Sequence, residues 1–188
     1  MMNRIQPILS STLILLLSAF MASSVRAQEG EVVPPPDPRA SPTMIAHTKL
    51  GNTYLKVTYS SPRKRGRVIF GELVPYGEVW RTGANEATEL TTTGDIEIAG
   101  HRLPAGTYAL FTIPEQDKWT IILNRELGQW GAFRYNPEAD VLRFEVPVTT
   151  TPETYEAFTI AFEEAEGGTN LVMRWDRTMV SIPIRPAS

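Results

Sequence analysis

The chain has 188 residues, a formal net charge of −3 at pH 7 and no cysteine. The charge argues against a nucleic-acid-binding protein, because such proteins usually carry a basic excess. The lack of cysteine excludes disulfide bonds, thiolate catalysis and cysteine-ligated zinc, so a hydrophobic core must hold the fold together. We predict no cofactor and no metal site, since His47 and His101 have no companions at ligand spacing.

Residues 1–27 have the pattern of a secretory signal peptide. Arg4 supplies a positively charged start, and residues 8–20 form an apolar stretch that is short for a membrane span. Residues 23–27 resemble a small-residue cleavage site, so we predict cleavage before Gln28. The prediction implies a secreted or periplasmic location with no membrane span in the mature chain. An uncleaved membrane anchor is the alternative.

Residues 28–42 are predicted to be a linker, because five of the chain's 15 prolines lie there and proline favours an extended, semi-rigid backbone. Residues 43–188 are predicted to form a single domain. Apolar and polar residues alternate with a period of two, and Gly, Pro, Asn or Asp separates the runs. The predicted strands are 53–59, 87–92, 96–98, 107–113, 118–123, 141–148, 155–162, 171–175 and 179–184.

Many short strands at regular spacing are typical of an antiparallel all-β fold. We predict a β-sandwich of the jelly-roll or Greek-key type. A parallel sheet would need crossover helices, and no window of the sequence shows a helical stripe. The prediction therefore allows one or two short helical turns at most, one of them within residues 127–133.

Segment 66–88, GRVIFGELVPYGEVWRTGANEAT, is the most distinctive part of the sequence. Together with Tyr59-Ser60-Ser61-Pro62, LPAGTYAL at 103–110 and WTIILN at 119–124, it resembles a secreted bacterial family catalogued as domain of unknown function "twenty-nine eleven". The likeness covers roughly residues 41–185. It implies an exported, β-rich protein with no established activity. Ser61 departs from the pattern, since the resemblance leads us to expect an arginine before Pro62.

The eight residues 81–88 are a candidate site, because nothing apolar larger than alanine occurs among them. Arg81, Asn85 and Glu86 combine a guanidinium group, an amide and a carboxylate. Held together in a cleft, these groups would bind a polyol or a polar anion, such as a carbohydrate or a cell-envelope component. The alternative is an internal network of hydrogen bonds that only orders the loop.

Aromatic and basic residues extend the candidate site. Trp80 and Trp130 are candidate platforms for stacking a sugar ring, and Trp130 is the better one because it lies in a predicted loop. Arg67 is expected to turn inward and to pair with an acid such as Glu72 or Glu86, since a buried arginine without a partner is costly. The basic run at residues 63–67 would receive a phosphate, a sulfated glycan or an anionic surface, or it is an exposed turn.

Three functions are open at this point. The leading one is an exported β-sandwich module that binds a carbohydrate or an anionic small ligand through residues 81–86. The second is a glycan hydrolase with Glu86 as general acid or base, its pKa raised by burial beside Trp80. A second carboxylate would be needed, and strand alternation would point Glu89 away from Glu86. The third is a purely structural module. The oligomeric state is left open.

Overall fold

The computed structural model of the protein describes residues 38–187. The predicted signal peptide and most of the predicted linker lie outside these residues. The described part is all-β, apart from one 3₁₀ turn at Pro137–Ala139 that begins after an Asn136 cap. None of the described residues belongs to a helix with the length and apolar character of a membrane span.

Strands follow one another through almost the whole described chain. They are β1 (Thr43–Leu50), β2 (Thr53–Ser60), β3 (Thr88–Thr92), β4 (Ile96–Ile98), β5 (His101–Leu103), β6 (Gly106–Pro114), β7 (Lys118–Asn124), β8 (Asp140–Ala165) and β9 (Gly168–Pro186). Hydrogen bonds join them in the order β1-β2-β3-β6-β7-β8-β9-β4-β5. Every pair in this order is antiparallel, so the predicted all-β antiparallel class is confirmed.

The strand boundaries agree closely with the alternation of the sequence, with a few differences. The predicted strands on either side of residues 149–154 merge into β8, because an irregular register bends this strand without ending it. Two predicted strands merge in the same way into β9. Strands β1 and β5 were not predicted, and the 3₁₀ turn lies outside residues 127–133. The hydrogen bonds join one continuous sheet, so a division into two packed sheets stays a prediction.

The centre of the core is a group of five aromatic side chains, which we call the aromatic cluster. Trp80 stacks on Trp175 with ring centroids 6.0 Å apart and meets Phe158 at 5.1 Å. Trp119 and Phe70 lie against Trp80 at 5.9 and 6.0 Å. Because strands β7, β8 and β9 supply three of these rings, the loop segment that carries Phe70 and Trp80 is anchored in the core without being a strand.

We expect Phe158→Ala to lower the free energy of unfolding by about 3–5 kcal/mol, because it removes a fully buried ring and leaves a cavity. Urea denaturation measures the change. Phe133→Ala is the matched control, since this side chain is largely exposed and its loss should alter stability by less than about 0.5 kcal/mol. Equal losses at the two positions would contradict the placement of Phe158 in the aromatic cluster.

Candidate functional site

Residues 81–88 form a clamped loop, which we call the octet loop. It starts from Trp80, whose backbone exchanges two hydrogen bonds with β6 at 2.7 and 2.9 Å. The Trp80 indole N–H donates to the Gly83 carbonyl at 3.1 Å. Thr88 Oγ1 donates to the Thr82 carbonyl at 2.7 Å, and both threonines are buried. Some of the polar side chains of the loop therefore form hydrogen bonds with the loop's own backbone.

The backbone of the octet loop is strained. Thr82 and Asn85 have φ angles of +55° and +57°, in the left-handed region, which is costly for a β-branched threonine and better tolerated by asparagine. Gly83 lies against strand β2, because a Cβ at this position would be 2.9 Å from the carbonyl oxygen of Ser60. Strained conformations of this kind persist only where surrounding contacts impose them. The packing of the loop on β2 thus fixes its shape.

Asn85 ties the octet loop to its surroundings. Its Nδ2 donates to the Ser41 carbonyl at 3.2 Å and to Ser60 Oγ at 3.3 Å. Its own carbonyl accepts a hydrogen bond from the Gly131 N–H at 3.0 Å. These hydrogen bonds agree with the alternative prediction, in which Asn85 orders the loop and binds no ligand.

Two cavities flank the octet loop. The arginine cavity has a volume of about 280 Å³. Its lining residues are Ala40, Ser41, Pro62, Arg63, Arg65, Arg67, Leu73, Val74, Trp80, Arg81, Gly83, Ala84 and Trp175. The glutamate cavity has a volume of about 340 Å³. Its lining residues are Arg39, Thr43, Thr58, Tyr59, Ser60, Glu86, Ala87, Glu89 and Gly128. Of the predicted site residues, Arg67, Trp80 and Arg81 line the arginine cavity and Glu86 lines the glutamate cavity, whereas Asn85 and Trp130 line neither.

Three predicted site residues, Arg67, Trp80 and Arg81, line the arginine cavity, together with Arg63 and Arg65. Of the described residues that line it, none is acidic. The ion pairs found within residues 38–187 include none of these four arginines. Burial lowers the pKa of the Arg81 guanidinium, and its buried Nε has no hydrogen-bond partner within the described chain. The described lining of the cavity thus holds four arginines and no acid, and the nearby Glu156 carboxylate accepts a hydrogen bond from the Arg65 backbone N–H at 2.9 Å.

Arg67 does not turn inward toward an acid. Its side chain is exposed, with Nε donating to the Lys64 carbonyl at 3.0 Å and Nη2 donating to the Arg63 carbonyl at 2.6 Å. The prediction of Glu72 or Glu86 as its partner is wrong, because backbone carbonyls of its own turn accept these hydrogen bonds. Arg67 therefore fixes the shape of the basic turn that borders the arginine cavity.

Glu86 lies in the glutamate cavity and is paired with Arg39. Arg39 Nη1 donates to the two carboxylate oxygens at 2.8 and 2.9 Å, and the Glu86 side chain is 45% exposed. The hydrogen bond from Arg39 is the main cause that lowers the pKa of Glu86. The prediction of a raised pKa beside Trp80 is therefore wrong, because Glu86 is exposed and its neighbour is a cation.

Glu89 lines the same cavity as Glu86, against the expectation from strand alternation. Strand β3 begins only at Thr88, so the alternation that would separate the two carboxylates does not extend back to Glu86. Glu89 accepts a hydrogen bond from the Gly128 N–H at 3.0 Å, which ties it to the neighbouring loop.

The two candidate stacking residues have different surroundings. Trp80 is a buried member of the aromatic cluster that also borders the arginine cavity. Trp130 is exposed, and its backbone forms an isolated β-bridge with Glu86. Trp80 therefore serves mainly as a core residue, and Trp130 keeps an accessible indole.

Sequence reasoning missed several residues that line the cavities. Arg39 was assigned to the linker, and no local spacing indicates its pairing with Glu86, because 47 positions separate the two residues. Trp175 lies inside a predicted strand, so alternation marked it only as a core residue. Ser61, which departs from the expected arginine, is buried and donates its hydroxyl to the Phe158 carbonyl at 2.7 Å.

Comparison with known proteins identifies the family of the chain. The model of the family described as "Protein of unknown function (DUF2911)" matches residues 41–184. Because this match covers most of the sequence, the chain belongs to that family, and the resemblance drawn from segment 66–88 is confirmed. Neither the comparison with curated proteins nor the one with solved structures finds a match.

We expect Arg39→Gln to raise the pKa of Glu86 toward its ordinary value, because it removes the hydrogen bonds that favour the ionised form. The pair stabilises the fold above the ordinary pKa, and this contribution is lost as the pH falls through the folded-state pKa. It amounts to less than about 1 kcal/mol, since the pair is exposed. Carbon-detected NMR titration of the carboxyl groups measures the pKa.

Arg102→Gln is the control for this titration, because Arg102 lowers the pKa of Asp95 in the same way. It should raise the pKa of Asp95 and leave that of Glu86 unchanged. If the pKa of Glu86 is the same with and without Arg39, the ion pair does not exist in solution.

Proposed function

We propose that this family member is an exported module that binds a small anionic ligand in the arginine cavity. The ligand class is a carbohydrate or another cell-envelope component that carries a carboxylate or a phosphate group. Two observations support this proposal most directly. Four arginines surround the cavity, and its described lining has no acid. None of these arginines belongs to an ion pair found within the described chain.

Guanidinium groups fit this ligand class. The planar fork of arginine donates two parallel hydrogen bonds to a carboxylate or a phosphate and stays charged at neutral pH. Arg63, Arg65, Arg67 and Arg81 repel one another when no anion lies between them. A bound anion would relieve this repulsion and would supply acceptors for the guanidinium groups.

Apart from Ser41 and Gly83, the remaining residues that line the arginine cavity are apolar. Pro62, Leu73, Val74, Trp80 and Trp175 contribute side chains that would contact the face of a ring or an alkyl portion of a ligand. The volume of about 280 Å³ lies just below the range of pockets that hold drug-sized ligands, so it suits one sugar unit or a group of similar size. A ligand that combines a ring with an acidic substituent would use both parts of the lining.

The clamped octet loop supports binding because its conformation is set before a ligand arrives. Thr82 and Gly83 are buried, and the loop's backbone is bonded to β2 and to itself. A wall that is already ordered loses little conformational entropy when a ligand binds. The same hydrogen bonds are also expected if the protein is a purely structural module, because that alternative predicts an ordered octet loop that binds no ligand.

The hydrolase alternative gains no support from the geometry of Glu86. A general acid that works near neutral pH needs a raised pKa, whereas Arg39 lowers the pKa of Glu86. A carboxylate with a lowered pKa is also a weak general base. We therefore propose that Glu86 holds Arg39 and takes no part in catalysis.

We expect glucuronate and glucose 6-phosphate to bind, and glucose to bind more weakly than either by about tenfold or more, since hydrogen bonds to charged groups contribute about 1.5–3 kcal/mol each. Isothermal titration calorimetry measures the three affinities. The comparison of the two acids distinguishes a carboxylate ligand from a phosphate ligand.

The variant Arg63→Gln should weaken the binding of both acids by about tenfold. Arg185→Gln is the matched control, because it removes the same charge from an exposed position on β9. If the two variants weaken binding equally, only net charge matters and the assignment to the arginine cavity is wrong. If none of the three compounds binds to the parent protein, the structural alternative takes the place of the proposal.

A further inference from the structure

Residues 127–133 form an exposed apolar loop, which we call the aromatic loop. Leu127, Trp130 and Phe133 are 47%, 59% and 85% exposed to solvent. An isolated exposed apolar side chain needs no explanation, but three of them within seven residues are unusual on a soluble surface.

The backbone of the aromatic loop is held in place while these side chains remain exposed. The Gln129 carbonyl accepts from the Ala87 N–H at 2.8 Å, and the Gly131 N–H donates to the Asn85 carbonyl at 3.0 Å. The Gln129 side chain is buried, with Nε2 donating to the Glu126 carbonyl at 3.0 Å. The backbone of the aromatic loop is therefore fixed to the octet loop, so it has little conformational entropy left to lose when the exposed side chains bind.

Basic residues flank the aromatic loop on both sides. Arg125 and Arg134 are exposed, and neither belongs to an ion pair found among residues 38–187. Glu126 accepts a hydrogen bond from Asn136 Nδ2 at 3.0 Å, so part of the local negative charge is engaged within the protein. Two exposed arginines outside these ion pairs thus flank the three exposed apolar side chains in the sequence, while the Glu89 carboxylate accepts a hydrogen bond from the Gly128 N–H of the loop.

We infer that the aromatic loop inserts into the interface of a phospholipid bilayer that contains anionic lipid. Tryptophan and phenylalanine favour the boundary between headgroups and acyl chains, and arginines beside them bind lipid phosphates. Three side chains on a short loop cover far less surface than the 20–30 residues that a stable protein interface uses on each side. A bilayer needs no matching surface, so it fits a loop of this size.

The inference goes beyond the proposed function and does not depend on a ligand in the arginine cavity. Insertion of one short loop gives weak and reversible binding, since apolar burial and electrostatic attraction to anionic lipid both contribute. Binding of this kind would hold the arginine cavity near a membrane surface.

Tryptophan fluorescence tests the inference selectively. Trp80, Trp119 and Trp175 are buried, so of the four tryptophans in the chain only Trp130 is accessible to an added quencher. Purified protein is titrated with vesicles of phosphatidylcholine and phosphatidylglycerol, with and without bromine atoms on the acyl chains. Insertion predicts a blue shift of the emission and quenching by the brominated lipid alone. The absence of quenching overturns the inference.

Paired variants show whether the loop itself causes the binding. Leu127→Ser with Phe133→Ser should weaken vesicle binding by about tenfold or more, because two apolar side chains are lost. Val68→Ser is the control, since Val68 is an exposed apolar residue of another loop and its replacement should change nothing. Quenching that persists unchanged in the double variant contradicts the inference, because vesicle binding would then depend on parts of the chain that the variant leaves intact.

Two further measurements test the electrostatic contribution of the arginines and a saccharide as the alternative ligand of the aromatic loop. Arg125→Gln with Arg134→Gln should weaken binding to anionic vesicles and leave binding to pure phosphatidylcholine vesicles unchanged.

The soluble oligosaccharide maltohexaose tests the stacking role predicted for Trp130. A change in Trp130 emission with maltohexaose, and none with vesicles, would replace the bilayer with a saccharide.

Discussion

The burial of Trp80 in the aromatic cluster is the constraint on which the rest of the site depends. The indole stacks on Trp175 and meets Phe158, while the Trp80 backbone pairs with β6 as a short strand would. The octet loop leaves the core from this fixed point. Because the start of the loop is held in place, the strained conformation of Thr82 can be maintained two residues later.

The octet loop separates two electrostatic environments. Arg81 is on the side of the arginine cavity, where the described lining includes four arginines and no acid. Glu86 is on the side of the glutamate cavity, where Arg39 compensates its charge. A residue that already has a partner in the protein has little to offer a ligand, whereas an arginine without one gains from binding an anion. This difference is why we propose a ligand on the side of Arg81.

The sequence predicts the fold much better than it predicts the site. Alternation and turn residues locate most strands because those signals are local, and segment 66–88 together with three shorter motifs points to the family that the comparison confirms. The site depends on contacts between distant positions. Arg39 meets Glu86 across 47 residues, and Arg67 bonds to carbonyls of its own turn where an acidic partner was expected. Residue type gives the chemistry of each group, but only the packing determines which groups share a cavity.

The most direct test of this account is native-state hydrogen exchange at the octet loop, followed by NMR. The Ala87 N–H donates to the Gln129 carbonyl at 2.8 Å, and the Thr88 N–H donates to the Arg81 carbonyl at 3.1 Å. A clamped loop predicts that both amides exchange slowly, at rates close to those of the neighbouring strands. Exchange at the rate of an unstructured peptide would show that the loop is free, and the account of two fixed cavities would then be wrong.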